Sequence, residues 1–152
     1  MDRIDFDILA ILNQNGRATA TEISRQVNLS IPAVSERLRN LEDSGVIEGY
    51  AVKINRKALG LHLMAFIFVS VDTPDHTEKF REVITTFPEV LECNHITGEY
   101  GYLLKVLLED TEALEYFISK KLKCIAGVQN SNTTINLLTL KESINRVMYN
   151  DL

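Results

Sequence analysis

Residues 19–45 read TATEISRQVNLSIPAVSERLRNLEDSG, and the spacing of hydroxyls, apolar residues and breakers in this stretch decides the fold of the N-terminal part. Thr19 stands three residues before Glu22, the interval at which a hydroxyl caps the N3 amide of a helix while a carboxylate reaches back to the cap. Ile23 and Val27 then fall on one helical face, and Asn28 breaks the run. Ser30 is placed to cap the next helix, Pro32 sits in its first turn where a missing N–H does no harm, and Gly45 stands just past its end. Only Asn28 and Leu29 separate the two helices, which is the spacing of a helix-turn-helix.

Upstream, Ile4, Ile8, Ile11 and Leu12 recur at helical spacing behind Asp2, a good N-cap, and Gly16 follows the last of them closely enough to end that helix. Three short helices therefore precede Gly45. In the third, Val34, Leu38 and Leu41 line the core side at i, i+4 and i+7, which turns Pro32, Ser35, Glu36, Arg39 and Asn40 outward. On an isolated amphipathic helix such a surface would be read as merely solvated. Behind a capping box and a tight turn it reads as the helix that meets the major groove of double-stranded DNA.

Arg39 is the candidate for a base-edge contact, because a guanidinium pairs bidentately with guanine O6 and N7 for about 1–3 kcal/mol of discrimination. Arg37 lies nearer the core flank. With Arg25, Ser30 and Ser35 it is assigned to phosphate contact or to support of the helix, either of which fixes position without reading sequence. Glu36 could accept from cytosine N4 or pair with an arginine.

The formal net charge of -5 opposes nucleic-acid binding only until its distribution is counted. Residues 1–60 hold eight Lys+Arg and eight Asp+Glu, whereas residues 61–152 hold eight and thirteen. A neutral N-terminal module binds phosphate through local arginines, and an acidic protein depends on several subunits acting together. No apolar run reaches the roughly 18 residues of a membrane span, and the start MDRIDFDILA carries acids where a signal peptide carries bases. A cytoplasmic, reducing setting is expected. Cys93 and Cys124 have neither CxxC spacing nor a neighbouring histidine, so no disulfide, metal site or cofactor is expected.

Residues 49–62 read as a linking strand and hinge that ends at Gly60, with no low-complexity linker. Beyond it, LMAFIFVSV from Leu63 to Val71 is apolar at odd and even positions alike, the mark of a strand covered on both faces. Residues 76–87 place Phe80, Val83, Ile84 and Phe87 on one helical stripe that Pro88 ends. A strand from Val90 to Thr97, a turn at Gly98–Gly101 and a strand from Tyr102 to Leu108 form a hairpin. Thr111 is placed to cap a helix carrying Leu114, Phe117, Ile118 and Leu122, and the last strand is expected over Ile135–Leu140. The order β-α-β-β-α-β is the ferredoxin-like arrangement. The fold class is thus α+β, with a helix-turn-helix domain over 1–48 and a ferredoxin-like domain over 63–152. Both helices cover one face of the sheet. The other face, still apolar, implies sheet-to-sheet dimerisation.

With both modules in view, the chain resembles the Lrp/AsnC family of feast/famine regulators. The resemblance rests on DRIDFDILAILNQNGRATATEIS, LSIPAVSERLRNLEDSGVIEGY, the linker ending in LG, ITGEYGYLLKV, and the GV of AGVQNSNTT. It implies a winged N-terminal module, a dimerising C-terminal domain whose dimers assemble into octamers, and an amino acid bound between subunits. The family's effector site centres on a G-x-x-D-Y turn with hydroxyl residues of the last strand nearby. Carried over, the turn is Gly98-Glu99-Tyr100-Gly101-Tyr102 and the hydroxyls are Ser131 and Thr133. Gly101 stands where the family has an aspartate, the natural partner of a ligand ammonium, and Glu99 is the substitute at hand. A plainer reading is that Gly98 and Gly101 supply positive φ to a hairpin.

Two other functions compete with a sequence-specific regulator. A DNA-wrapping architectural protein needs no ligand and draws its affinity from many phosphate contacts. Some relatives of this two-module form decarboxylate haem precursors, which requires histidines or arginines converging on a tetrapyrrole. His62, His76 and His95 fall in the linker, a helix start and a strand, with no spacing that gathers them, so the chain is read as a non-enzyme.

Overall fold

The structure, a computed structural model, describes residues 1–147, and these fall into two units. One comprises Met1–Lys53 with the segment beginning at Lys141, the other Ile54–Leu140.

In the first unit, α1 (Arg3–Gln14) opens on a capping box in which Asp2 accepts from the Asp5 amide and Asp5 reaches back to the cap. It ends at Gln14 with Asn15 as C-cap, one residue before the expected Gly16. The second helix, α2 (Ala20–Val27), carries the expected Thr19–Glu22 box and stops at Asn28, whose φ of 53° is left-handed. Asparagine tolerates that conformation, and the chain turns at once into α3 (Ile31–Asp43), capped by the Ser30 hydroxyl with Pro32 in the first turn. Gly45, at φ 73°, reverses the chain after it, and the Ile47 amide donates to the Leu41 carbonyl. Ile8, Ile23, Val34 and Leu41 form the buried centre, one or two from each helix, with Ile4, Leu12, Val27 and Leu38 around them.

The stretch expected as a linking strand does not pair. From Val46 to Ile54 no ladder bond forms with any of the described residues, and Val52 and Ile54 lie exposed before a short helical turn at Arg56–Leu59. Alternation supplies a strand's side-chain pattern but not its partner, and the described residues offer none here.

The second unit is a four-stranded antiparallel sheet of order β2-β3-β1-β4 with two helices on one face. The strands are β1 (Leu63–Val71), β2 (Val90–His95), β3 (Tyr102–Leu108) and β4 (Val128–Ile135). The helices are α4 (Pro74–Ile84), capped by Thr73, and α5 (Thr111–Tyr116), capped by Asp110 rather than by Thr111. Aspartate accepts from the Ala113 amide, so Thr111 becomes the first helical residue. Helix α4 starts two residues before the expected 76 and ends three before 87, yet Phe87 still packs on the core from the following turn.

The larger correction concerns β4. It runs from Val128 to Ile135, not from Ile135 to Leu140, and Leu137, Leu138 and Leu140 are exposed beyond it. The polar sequence QNSNTT qualifies as a strand because it lies at the sheet edge against β1, where only alternate residues are half-buried. Ala65, Ile67 and Val69 of β1 and Leu104, Val106 and Leu108 of β3 share one core with Phe80 and Ile84 of α4, Leu114 of α5 and Phe117 directly after it. Met64, Phe66 and Phe68, with Leu103 and Leu107, lie on the opposite, helix-free face, which they share with Lys105 of β3 and with Asn132 and Thr134 of β4.

Candidate nucleic-acid interface and effector site

Helix α3 sorts its residues as the spacing requires. Ser30, Pro32, Ser35, Glu36, Arg39 and Asn40 are exposed, while Val34 and Leu41 are buried. Arg25, in the last turn of α2, is exposed as well. Arg39 has no carboxylate within ion-pair distance among the described residues, so its fork of donors is available.

Arg37 is placed differently. Its Nη1 lies 2.7 Å from Asp5 Oδ1 and its Nη2 2.8 Å from Asp2 Oδ2. The Asp5 side chain is only 13% exposed, so the pair bridges the first turn of α1 to the middle of α3 across partly desolvated ground. The guanidinium holds the Asp2 carboxyl below the usual carboxylate range, and the two carboxylates raise the arginine further above its own. Sequence reasoning placed Arg37 on the core flank but missed both partners, which lie 32 and 35 residues away and leave no local signal.

In the second unit, the turn joining β2 to β3 closes with the Ile96 amide donating to the Gly101 carbonyl at 2.9 Å. Gly98 has φ 124°, a conformation that favours glycine, but Gly101 does not have positive φ. The expectation that both glycines serve backbone geometry therefore fails for Gly101. A Cβ built there meets no atom within 4 Å. Glu99 is exposed.

The two tyrosines of the turn part to opposite faces of the sheet. Tyr100 leans on Phe68 of the helix-free face, ring centroids 5.8 Å apart. Tyr102 is buried on the helix side, 4.8 Å from the Phe80 ring and stacked on His95 at 5.1 Å. Through the ladder His95, Tyr102, Val69 and Ser131 form one row across all four strands, with Thr133 beside Ile67 two residues along. Ser131 and Thr133 are half-buried on that same side, yet β1 separates Ser131 from Tyr102 by two strand spacings, about 10 Å. The candidate effector residues thus share one sheet but are not all gathered at one point of a single chain.

Two family profiles cover most of the sequence: "Winged helix-turn-helix DNA-binding" over residues 1–48 and "Lrp/AsnC ligand binding domain" over residues 64–145. The chain belongs to the Lrp/AsnC family of transcriptional regulators. This Lrp/AsnC regulator is 42% identical over 118 residues to the HTH-type transcriptional regulator YezC of Bacillus subtilis, covering 78% of this chain and 83% of that one. A transcriptional regulator of Neisseria meningitidis, solved with L-Met, superposes with a TM-score of 0.92 at 36% identity, covering 95% and 94% of the two chains. A feast or famine regulatory protein of M. tuberculosis, solved with L-methionine, gives 0.89 at 31% identity, covering 97% and 99%. The winged module and the α+β sheet domain read from the sequence are those of the family, and DNA binding and transcription regulation are its work. No helix among the described residues is long and apolar enough to cross a membrane.

Proposed function

We propose that this regulator reads operator DNA with α3, works as a homo-oligomer of at least two chains, and responds to an amino acid bound near the Gly98–Tyr102 turn. The observation that carries the DNA assignment is the contrast between two neighbouring arginines: Arg37 is held by Asp2 and Asp5, whereas Arg39 is exposed and free of carboxylates among the described residues. Arg39 reads a base edge. Pro32, Glu36 and Asn40 line the groove, and Arg25, Ser30 and Ser35 meet phosphate. Arg37 supports the helix.

Assembly is supported by apolar surface that one chain does not fully bury: the half-buried sheet-face residues Phe66, Phe68 and Leu103, and the exposed leucines at 137, 138 and 140. A dimer places two recognition helices about one turn of DNA apart, and further pairing of dimers gives the octamer. The effector reading is supported by the two L-methionine complexes among similar structures and by the glycine turn, with Ser131 and Thr133 completing the site once subunits assemble. The protein acts in the cytoplasm, where its DNA is, and has no catalytic role.

Two titrations test this. Binding to operator and to random DNA at fixed salt gives a ratio well above unity for a sequence-reading regulator, and a ratio near unity for an architectural protein. Thermal unfolding against each of the twenty amino acids gives a raised melting temperature for the effector, because a ligand of the folded state alone stabilises it.

A further inference from the structure

The second unit carries an arginine that no carboxylate among the described residues claims. Arg81, exposed on α4, donates from Nε to the Tyr102 hydroxyl at 2.7 Å, and its guanidinium carbon lies 5.6 Å from the centre of that ring. The anchor is rigid: Tyr102 is buried between Phe80 and His95. A guanidinium fixed through Nε keeps its two Nη groups as a free planar fork. Among the described residues no Asp or Glu lies within ion-pair distance of it, although in residues 54–140 eleven acids outnumber eight bases. This arginine is held on a tyrosine instead.

The location gives the fork a purpose. Tyr102 follows Gly101 directly, so Arg81 stands over the strand where the turn ends, with exposed His95 on the same ring. The fork's complement is a carboxylate, which accepts two parallel N–H bonds. We infer that Arg81, fixed by Tyr102, binds the α-carboxylate of the effector. This rests on the effector reading above and adds the group of the ligand that is recognised. It also fits an uncharged position 101, since affinity then comes from the carboxylate end of the ligand rather than from its ammonium.

The experiment uses the full chain with the amino acid that gives the largest rise in melting temperature, and with its amide, which lacks the carboxylate. The amino acid raises the melting temperature of the parent protein and the amide does not. In Arg81→Gln the concentration giving half the shift rises at least about tenfold, the loss of a charged hydrogen-bond pair, while Arg81→Lys, which keeps charge without the fork, falls between. Tyr102→Phe, which frees the guanidinium, weakens the response as well. An amide as effective as the acid, or an Arg81→Gln response equal to the parent's, overturns the carboxylate assignment and leaves the effector reading standing. If none of the twenty amino acids shifts the parent protein, the effector reading fails and this inference fails with it.

Discussion

Arg37 and Asp5 meet at 2.7 Å although 32 residues separate them in the chain, and Asp2 takes the other edge of the same guanidinium. One side chain thereby fixes the recognition helix to the start of α1. Arg37→Gln lowers the melting temperature by about 2–4 °C, the modest value expected of a half-exposed pair. Because its charge is neutralised within the protein, the substitution leaves the slope of log affinity against log salt unchanged, whereas loss of a phosphate contact reduces that slope by about one. The pH dependence has a definite sign. Asp2 has a lowered carboxyl pKa in the folded state, so its contribution is complete above the ordinary carboxylate value and is lost as pH falls through the folded one. Acid unfolding of Arg37→Gln is correspondingly less steep below pH about 4.

Arg39→Ala has the opposite signature. Its side chain supports nothing within the unit, so stability stays within about 0.5 kcal/mol of the parent. The ratio of operator to random binding falls about ten- to a hundredfold, the worth of one bidentate base contact. Equal loss on both DNAs would remove Arg39 from base reading and make it a phosphate ligand.

The contrast between these arginines also shows what the sequence carries and what it does not. The capping boxes at Asp2 and Thr19, the Ser30 cap and the stripe through Val34 and Leu41 are local patterns, and the structure has them at the expected residues. Strands β1 and β3 match at both ends, because a nine-residue apolar run and a glycine turn bound them sharply. Strand β4 starts seven residues before the expected Ile135 and ends five before Leu140: periodicity follows leucines, and those after Asn136 are exposed while the polar NSNTT forms the ladder. The linker's alternation has no partner among the described residues, so no strand forms there. Long-range pairs such as Arg37–Asp5 and Arg81–Tyr102 depend on tertiary placement and are invisible to spacing. The effector residues were identified by resemblance, and only the fold divides Tyr100 from Tyr102.

Two glycines separate backbone need from ligand need. Gly127 has φ 86°, and a Cβ there would stand 2.3 Å from the His76 Cβ. Gly127→Ala therefore combines left-handed strain with overpacking and costs about 2–4 kcal/mol in urea unfolding. Gly101 has neither constraint, so Gly101→Asp is near neutral in stability. If the effector's ammonium approaches this turn, the new carboxylate tightens amino-acid binding, which the same thermal titration reads. An unchanged response would place the ammonium elsewhere.

The helix-free sheet face is the remaining test of assembly. Across the β1–β3 ladder Phe68 stands opposite Leu103 and Phe66 opposite Lys105, whose ammonium is paired at 3.0 Å with Glu92 of the edge strand β2. An apolar patch whose neighbouring charge is already paired can be buried against a second copy, which removes two such faces from water at once. Phe68→Glu would place a carboxylate in that patch. Phe66 and Phe68 are half-buried rather than part of the sealed core, so the isolated chain keeps its sheet while the pair loses its contact. Light scattering at micromolar concentration is expected to give a dimer or larger for the parent and a monomer for Phe68→Glu. The monomer binds operator far more weakly, because one half-site contact replaces two joined ones. A parent protein that is already monomeric would remove this face from the assembly and leave operator binding to a single recognition helix.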